Sequence, residues 1–244
     1  MSRKRETWGV VVVAAGRGTR MGTAESKQYL PLRDKPILVH TLDVFNAMDE
    51  VGEIALVVPA SDVRRCSELV RAFGIDKTSA VIAGGGERQH SVRLGLTELT
   101  SEWVMVHDGV RPLVSAAAIR RCMAEAGRSG ASVLAVPVKD TIKQVNEAGV
   151  IVSTPDRRSL WAIQTPQAFR RSLLLDAHEK AAADGFVGTD DAMAVERLGV
   201  QVTVAEGEYT NIKITTPDDL PYAEFLLGER ERLSTRFGRG EREL

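Results

Sequence analysis

Cysteine and aromatic residues are scarce in this chain, and charge of neither sign dominates it. Its two cysteines, Cys66 and Cys122, fall far apart in helix-like stretches without metal-binding spacing. They predict reduced thiols in a cytoplasmic protein and leave no disulfide framework to consider. The four histidines, His40, His90, His107 and His178, form no H-x-x-x-H pair, so no zinc motif is legible. No stretch approaches the ~20 apolar residues of a membrane span. Residues 1–7 are basic, but a short strand-like run follows them instead of a signal-peptide core and cleavage site. The formal charge of −1 argues against general nucleic-acid binding. Any anion site has to be a local gathering of Arg and Lys.

What the chain does have is an ordinary globular composition, 43% hydrophobic and 27% charged over 244 residues, enough to bury a substantial core. Its most informative stretch runs from Trp8 to Lys27, WGVVVVAAGRGTRMGTAESK. Val10, Val11, Val12 and Val13 follow one another without polar alternation, which predicts a strand buried on both faces, as in a parallel sheet. The run continues through Ala14 and Ala15 and stops at Gly16, with Gly18 and Gly22 beyond, and Arg17, Arg20 and Lys27 in or just after the turn. Glycines at the carboxyl end of such a strand let backbone N–H groups converge on an anion, since no Cβ stands in the way. The stretch predicts a polyphosphate site; a plain strand-to-helix turn with solvated basic side chains is the bland alternative. Spacing excludes two better-known loops. Gly16-x-Gly18-x-x-x-Gly22 is one residue too long for the dinucleotide fingerprint, which argues against a dehydrogenase. No Lys follows Gly22 as the nucleoside-triphosphatase loop requires.

Downstream, hydrophobic periodicity predicts helices over 36–47, 61–73 (capped by Ser61), 115–128, 170–184, 190–198 and 217–227. Val92, Leu96 and Leu99 mark one more. Strands are predicted at 54–58, 80–83, 103–106, 132–136, 201–205 and 211–214, with 163–169 returning to the body of the fold. The alternation predicts an α/β, Rossmann-like fold, a mostly parallel twisted sheet with helices on both faces. The rhythm breaks after Pro137. There 141–145 and 150–154 alternate around Asn146-Glu147-Ala148-Gly149, the signature of a protruding β-hairpin. So polar a hairpin is marginal alone and has to lean on its own domain or on a second subunit. Residues 228–244 are mostly charged residues and Gly, and predict a frayed or disordered tail.

Ala14-Ala15-Gly16-x-Gly18-x-Arg20-Met21, followed by Lys27-Gln28-Tyr29-Leu30, resembles the signature of nucleotidyltransferases that activate sugars and polyols. At this spacing the chain is similar to the 2-C-methyl-D-erythritol 4-phosphate cytidylyltransferase family of the non-mevalonate isoprenoid pathway. The likeness implies one nucleotidyltransferase domain over 1–228, with an arm at about 139–160 that clasps a neighbouring protomer into a homodimer, and the charged tail 229–244 beyond. It further implies that the second catalytic domain of bifunctional relatives is missing. The implied reaction joins CTP to a polyol phosphate and releases pyrophosphate, aided by Mg2+ carried mainly on the CTP phosphates. The metal's protein ligands are not legible.

The resemblance assigns Arg20 and Lys27 to the charge on the α-phosphorus, and Arg157 and Lys213 to the polyol phosphate. Thr141 and Thr189 are implied as hydroxyl contacts to the second substrate; with a shared arm, Arg157 and Thr189 serve a neighbour's site. Ala14, Ala15, Gly16 and Gly18 belong to the nucleotide loop. Gly85, Gly86 and Ser91, in Gly84-Gly85-Gly86-x-Arg88-x-x-Ser91-Val92, match the segment around the cytosine and ribose. Asp108, Gly109 and Arg111 end a predicted central strand in Val106-His107-Asp108-Gly109-Val110-Arg111-Pro112, where ligands of open α/β sheets gather. Asp108 is implied to contact either the methylerythritol hydroxyls or a Mg2+ on the triphosphate.

Taken singly, Arg157 and Lys213 read as solvated charges; the match to several separated motifs selects them. The chain departs from its relatives at Val13 and Ser26, where Pro is common, at Gly109-Val110 for Ala-Ala, and at Gly86, acidic in some. None of these removes a charged residue with an assigned role. Two alternatives stay open: a cytidylyltransferase for ribitol 5-phosphate, which shares the loop and arm, and a nucleotide-binding protein without turnover.

Overall fold

The valines of the opening run divide between the two faces of a sheet. Strand β1 (Trp8–Val13) sends Val10 and Val12 into one hydrophobic cluster and Val11 into another on the opposite face. A strand covered on both sides has no use for polar alternation. The computed structural model describes residues 7–16 and 25–240, with side chains as far as 233. Arg17, Gly18, Arg20 and Gly22 lie outside the described residues.

After β1 come a small antiparallel pair, β2 (Pro31–Leu32) and β3 (Lys35–Pro36), then α1 (Ile37–Asn46), β4 (Val51–Val58), α2 (Val63–Ala72), β5 (Thr78–Ala83), α3 (Arg88–Thr97) and β6 (Trp103–Asp108). Then follow α4 (Ala116–Ser129), β7 (Ala131–Pro137), the outlying β8 (Gln144–Val145) and β9 (Ile151–Ser153), and β10 (Trp161–Arg170). The chain closes with α5 (Arg171–Ala183), α6 (Asp191–Glu196), β11 (Thr203–Glu206) and α7 (Asp219–Gly240). The main sheet has the order β11-β7-β10-β6-β1-β4-β5. Its paired strands are parallel except at β10, which is antiparallel to both β6 and β7.

Helices cover both faces. Leu38, Phe45, Cys66 and Ile119, from α1, α2 and α4, join the cluster of Val10 and Val12. Val92, Leu96, Leu174 and Val195, from α3, α5 and α6, join that of Val11. Each such side chain contributes about 1.5–3 kcal/mol of burial. Both cysteines are buried and free. The chain winds outward from β1 to β4 and β5, then crosses back to β6 on the other side of β1. That reversal opens a crevice at the carboxyl end of β1.

The hairpin forms as expected. Asn146 Oδ1 accepts from Ala148 N at 3.1 Å and Val150 N at 2.9 Å, and Gly149 takes a φ of +76° that a side chain disfavours. Three expectations need correction. Ser61 does not cap a helix: a 3₁₀ turn, Ala60–Asp62, comes first, and the Ser61 hydroxyl donates to Asp62 Oδ1 at 2.9 Å. Residues 211–214 form no strand. Their polar groups find side-chain and loop partners instead of a ladder, with Asn211 Nδ2 on Thr165 O at 2.9 Å and Ile214 N on Val110 O at 2.9 Å. Finally, the last helix continues past 227 and through 228–240, where a frayed tail was expected. Ala223 is buried against Leu32, Ile37, Leu113 and Ile214, and Arg230 Nη2 donates to Leu113 O at 2.7 Å. Tertiary anchors of this kind sustain a helix whose composition reads as disordered.

Candidate active site

Five separate pieces of chain meet in the crevice at the end of β1. Ala14, Ala15 and Gly16 leave β1; Lys27 and Gln28 come from a 3₁₀ turn, Lys27–Tyr29; Gly85, Gly86 and Ser91 lie at the entry to α3; Asp108 ends β6; and Lys213 arrives from 211–215. Local bonds fix each piece. Ala14 N donates to Val57 O at 2.8 Å, and the buried Gln28 amide donates to Ala14 O at 3.1 Å, tying the turn of Lys27 to the end of β1. Next to Lys27, the Tyr29 hydroxyl donates to Asp62 Oδ2 at 2.8 Å, and the Arg65 guanidinium lies 3.9 Å from the Tyr29 ring centroid. Ser91 Oγ accepts from Gly85 N at 3.1 Å and donates to Glu87 O at 3.2 Å, closing the glycine loop on itself.

A Cβ at Gly84 would stand 2.6 Å from Ala15 Cβ and 2.7 Å from Ser91 Oγ, so the two loops touch only because that Cβ is missing. Among the described residues, a Cβ at Gly16 or Gly86 would meet nothing within 4 Å.

Charge is concentrated at the floor. Asp108 is buried, and its carboxylate faces Lys213 Nζ at 2.8 Å, Arg88 Nε at 3.5 Å and Arg111 Nε at 3.6 Å. Burial works against its ionisation, but Arg88, Lys213 and Arg111 together hold it well below the usual carboxylate range. Arg88 in turn donates through Nη1 to Asp191 at 2.7 Å. Asp191 is fully buried; burial would raise its pKa, and Arg88 and His178 reverse that and lower it. The Asp108 backbone N–H donates to Thr165 Oγ1 at 3.1 Å.

The structure gathers Ala14, Ala15, Gly16, Lys27, Gly85, Gly86, Ser91, Asp108 and Lys213 around one crevice. Arg111 and Gly109 stand behind it, Arg111 against Asp108 and Gly109 with its N–H on Val13 O at 2.9 Å. Thr141, Arg157 and Thr189 do not line it within this chain. Thr141 and Arg157 are exposed at the hairpin, with Arg157 Nη1 on Lys139 O at 2.7 Å, and Thr189 is exposed between α5 and α6. Gly18 and Arg20 fall outside the described residues. Sequence reasoning gave no role to Gln28, Arg88, His107 or Thr165. Arg88 had a weak signal, three residues ahead of Ser91 in a matched motif. Thr165 had none, because it meets Asp108 across 57 residues of chain.

A profile of the 2-C-methyl-D-erythritol 4-phosphate cytidylyltransferase family matches residues 9–229. A protein of that name from Alkaliphilus metalliredigens is 48% identical over 225 residues, covering 91% of this chain and 93% of that protein. One from Geotalea uraniireducens is 49% identical over 222 residues, covering 89% and 95%. Among solved structures, the 4-diphosphocytidyl-2C-methyl-D-erythritol synthase of Anaerococcus prevotii superposes with a TM-score of 0.79 at 32% identity, over 91% of this chain and 96% of that one. The cytidylyltransferase of Thermus thermophilus does so with 0.74 at 32% identity, over 89% and 97%. With the glycine loops and the buried charges in the positions described, the chain belongs to the 2-C-methyl-D-erythritol 4-phosphate cytidylyltransferase family.

Proposed function

We propose that this chain transfers the cytidylyl group of CTP to 2-C-methyl-D-erythritol 4-phosphate, giving 4-diphosphocytidyl-2-C-methyl-D-erythritol and pyrophosphate. The observation that carries this reading is the meeting of Lys27, Lys213 and Asp108 with the glycines Gly16 and Gly86 in one crevice. The physical difficulty of the reaction is charge. Two unit negative charges ~4 Å apart repel by ~4 kcal/mol at an effective dielectric of 20, and here a triphosphate has to meet a phosphate monoester. The acceptor's phosphate oxygen bonds to the α-phosphorus as the bond to the pyrophosphate oxygen breaks, in line. A phosphate nucleophile is already anionic and needs no general base, so positioning and placed cations do the catalysis. Lys27, with Arg20 from the loop, meets the charge developing on the α-phosphorus. Lys213 and Arg157 hold the acceptor phosphate, and Asp108, Thr141 and Thr189 take its hydroxyls.

Among the described residues no three His, Cys, Asp or Glu side chains gather as a metal cage. Asp108 is the one carboxylate at hand, and it is already engaged by three cations, so Mg2+ would be carried mainly on the phosphate oxygens, as that ion favours. When bound, the ion supplies neutralisation of the triphosphate charge.

The arm supports a homodimer. Val145, Val150, Ile151 and Val152 are 57–61% exposed along it, and Trp161 and Ile163 are exposed at its base. A second copy of the chain covers such a patch; Thr141 and Arg157, on the arm, then serve the neighbour's crevice, whereas Thr189, between α5 and α6 and off the arm, is read with its own chain's site instead of the neighbour's. Among the described residues no helix is long and apolar enough to cross a membrane. With that, the buried free thiols and the absence of excess charge support a cytoplasmic enzyme whose partners are CTP and a polyol phosphate, without nucleic acid or membrane.

The test is pyrophosphate release with CTP, Mg2+ and, in turn, 2-C-methyl-D-erythritol 4-phosphate and ribitol 5-phosphate. Turnover of the first is expected. Turnover of the second alone, or CTP binding with no turnover, overturns the reading.

A further inference from the structure

The first turn of α3 is bonded both to the floor of the crevice and to the loop before α6. Arg88 Nη1 donates to Asp191 Oδ2 at 2.7 Å, and Arg88 Nε approaches Asp108 Oδ1 at 3.5 Å. The next residue, Gln89, is buried and uses both ends of its amide on the loop before α6. Its Nε2 donates to Phe186 O at 3.1 Å, and its Oε1 accepts from Gly188 N at 2.9 Å. From β10, Gln167 holds the far end of the same loop: it accepts from Asp191 N at 3.1 Å and donates to Asp190 Oδ2 at 2.9 Å. Thr189 sits between these anchors. One turn along α3, Ser91 receives Gly85 N from the glycine loop. One short stretch of helix therefore touches the nucleotide's loop, the floor carboxylate and the loop of Thr189.

Arginine suits the central place. Its planar fork can engage two carboxylates at once in a fixed geometry, which a lysine ammonium on a flexible stem cannot. Side-chain exposure is 9% at Asp108 and 0% at Asp191, so two buried anions face a guanidinium held between them.

We propose that Arg88 is a positioning residue: it sets the place of the Asp108 carboxylate and, through Asp191, of the loop bearing Thr189, so that the acceptor's half of the site is registered to the nucleotide's half. This rests on the cytidylyl-transfer reading. Wild-type turnover is measured first, so that its absence identifies failure of that reading and not of this one. Kinetics are then taken for Arg88→Gln and Arg88→Lys with each substrate varied in turn, and CTP affinity is measured by calorimetry with Mg2+.

Arg88→Gln is expected to raise the acceptor KM by ~10-fold or more and to lower kcat, with the CTP Kd within ~3-fold of wild type. Arg88→Lys recovers only part of the loss, since it restores the charge and not the fork. Asp191→Asn reproduces the acceptor defect, and the double variant Arg88→Gln/Asp191→Asn is little worse than Arg88→Gln alone, as for residues acting through one another. Where Arg88 or Asp191 variants do not fold, Gln89→Ala reads the same loop from its other anchor and is expected to raise the acceptor KM alone. Wild-type acceptor kinetics in the folded variants, equal losses for CTP and acceptor, or additive effects in the double variant each overturn the proposal.

Discussion

Nδ1 of His107 stands 3.0 Å from the hydroxyl of Thr165. On its other side, Nε2 lies 3.2 Å from Arg111 O, a carbonyl that can only accept, so Nε2 carries the proton and Nδ1 accepts from Thr165. The Thr165 oxygen accepts in turn from the Asp108 N–H. A neutral imidazole thus joins the strand end that bears Asp108 to β10 and to the turn that bears Arg111. Burial lowers the His107 pKa from 6.5 to about 4, against the opposing pull of Asp108 and of the Arg111 carbonyl, while the Arg111 and Arg88 charges reinforce the shift.

That arrangement predicts a pH dependence of stability. The unfolded chain protonates His107 near 6.5 and the folded one only near 4, so the unfolded state binds more protons between those values. Stability is complete above 6.5 and declines as the pH falls toward 4, with a slope approaching about 1.4 kcal/mol per pH unit midway. Urea unfolding between pH 4.5 and 7 should show the slope in wild type and a shallower one in His107→Gln. Coincident slopes would remove His107 from the account.

Lys27 should matter to rate and not to folding. It lies half-exposed in the crevice, while the neighbouring Gln28 and Tyr29 make the buried contacts that anchor its turn. Lys27→Ala is expected to lower kcat by ~10²-fold or more, comparable to losing an oxyanion-hole donor, with an unchanged circular dichroism spectrum and melting temperature. Arg20→Ala should behave alike. Steady-state pyrophosphate release checks both, and a near-wild-type kcat in both would take them out of the chemistry.

Arg157→Ala is expected to raise the KM for the polyol phosphate and to leave that for CTP unchanged, because Arg157 is exposed at the hairpin and apart from the nucleotide loops. Mixing Arg157→Ala with Lys27→Ala protein should restore activity, since some mixed dimers then hold one intact composite crevice. A mixture no more active than its components would place Arg157 in its own chain's site or in none.

Gly84→Ala should cost about 1–3 kcal/mol of stability. The added methyl would meet Ala15 Cβ at 2.6 Å and Ser91 Oγ at 2.7 Å, and strand ends packed this closely have little room to yield. Among the described residues Gly16→Ala meets nothing within 4 Å, and it should leave stability nearly unchanged while weakening CTP binding. Denaturant midpoints and CTP titration separate the two.

Much of the fold was legible in the amino-acid order because apolar patterning survives without knowledge of neighbours. Val10 to Val13 announced a central strand, and the residues around Asn146 and Gly149 announced the hairpin. Gly16, Lys27, Ser91, Asp108 and Lys213 were selected from five motifs, and they share one crevice. The failures are equally specific. Asn211–Ile214 looked like a strand, yet its Asn211 and Ile214 N–H groups donate to Glu208 O and Val110 O, and the Asn211 carbonyl accepts from the Arg111 side chain. The charged segment after Leu227 looked unstructured, yet Arg230 and Ala223 fasten its helix to Leu113 and its neighbours. Composition says nothing of partners supplied by distant chain.

By itself, then, the sequence determined which strands are buried, where the backbone is left bare for a ligand, and which cations are available to an anion, because each is a property of residues close together along the chain. The tertiary structure alone decided that Arg88 bridges Asp108 and Asp191, that Thr165 and His107 brace the floor, and that Arg157 stands outside its own crevice. Those facts depend on strand order and on contacts spanning 57 and 103 residues, and buried charges find their counter-ions only once the sheet has closed around them.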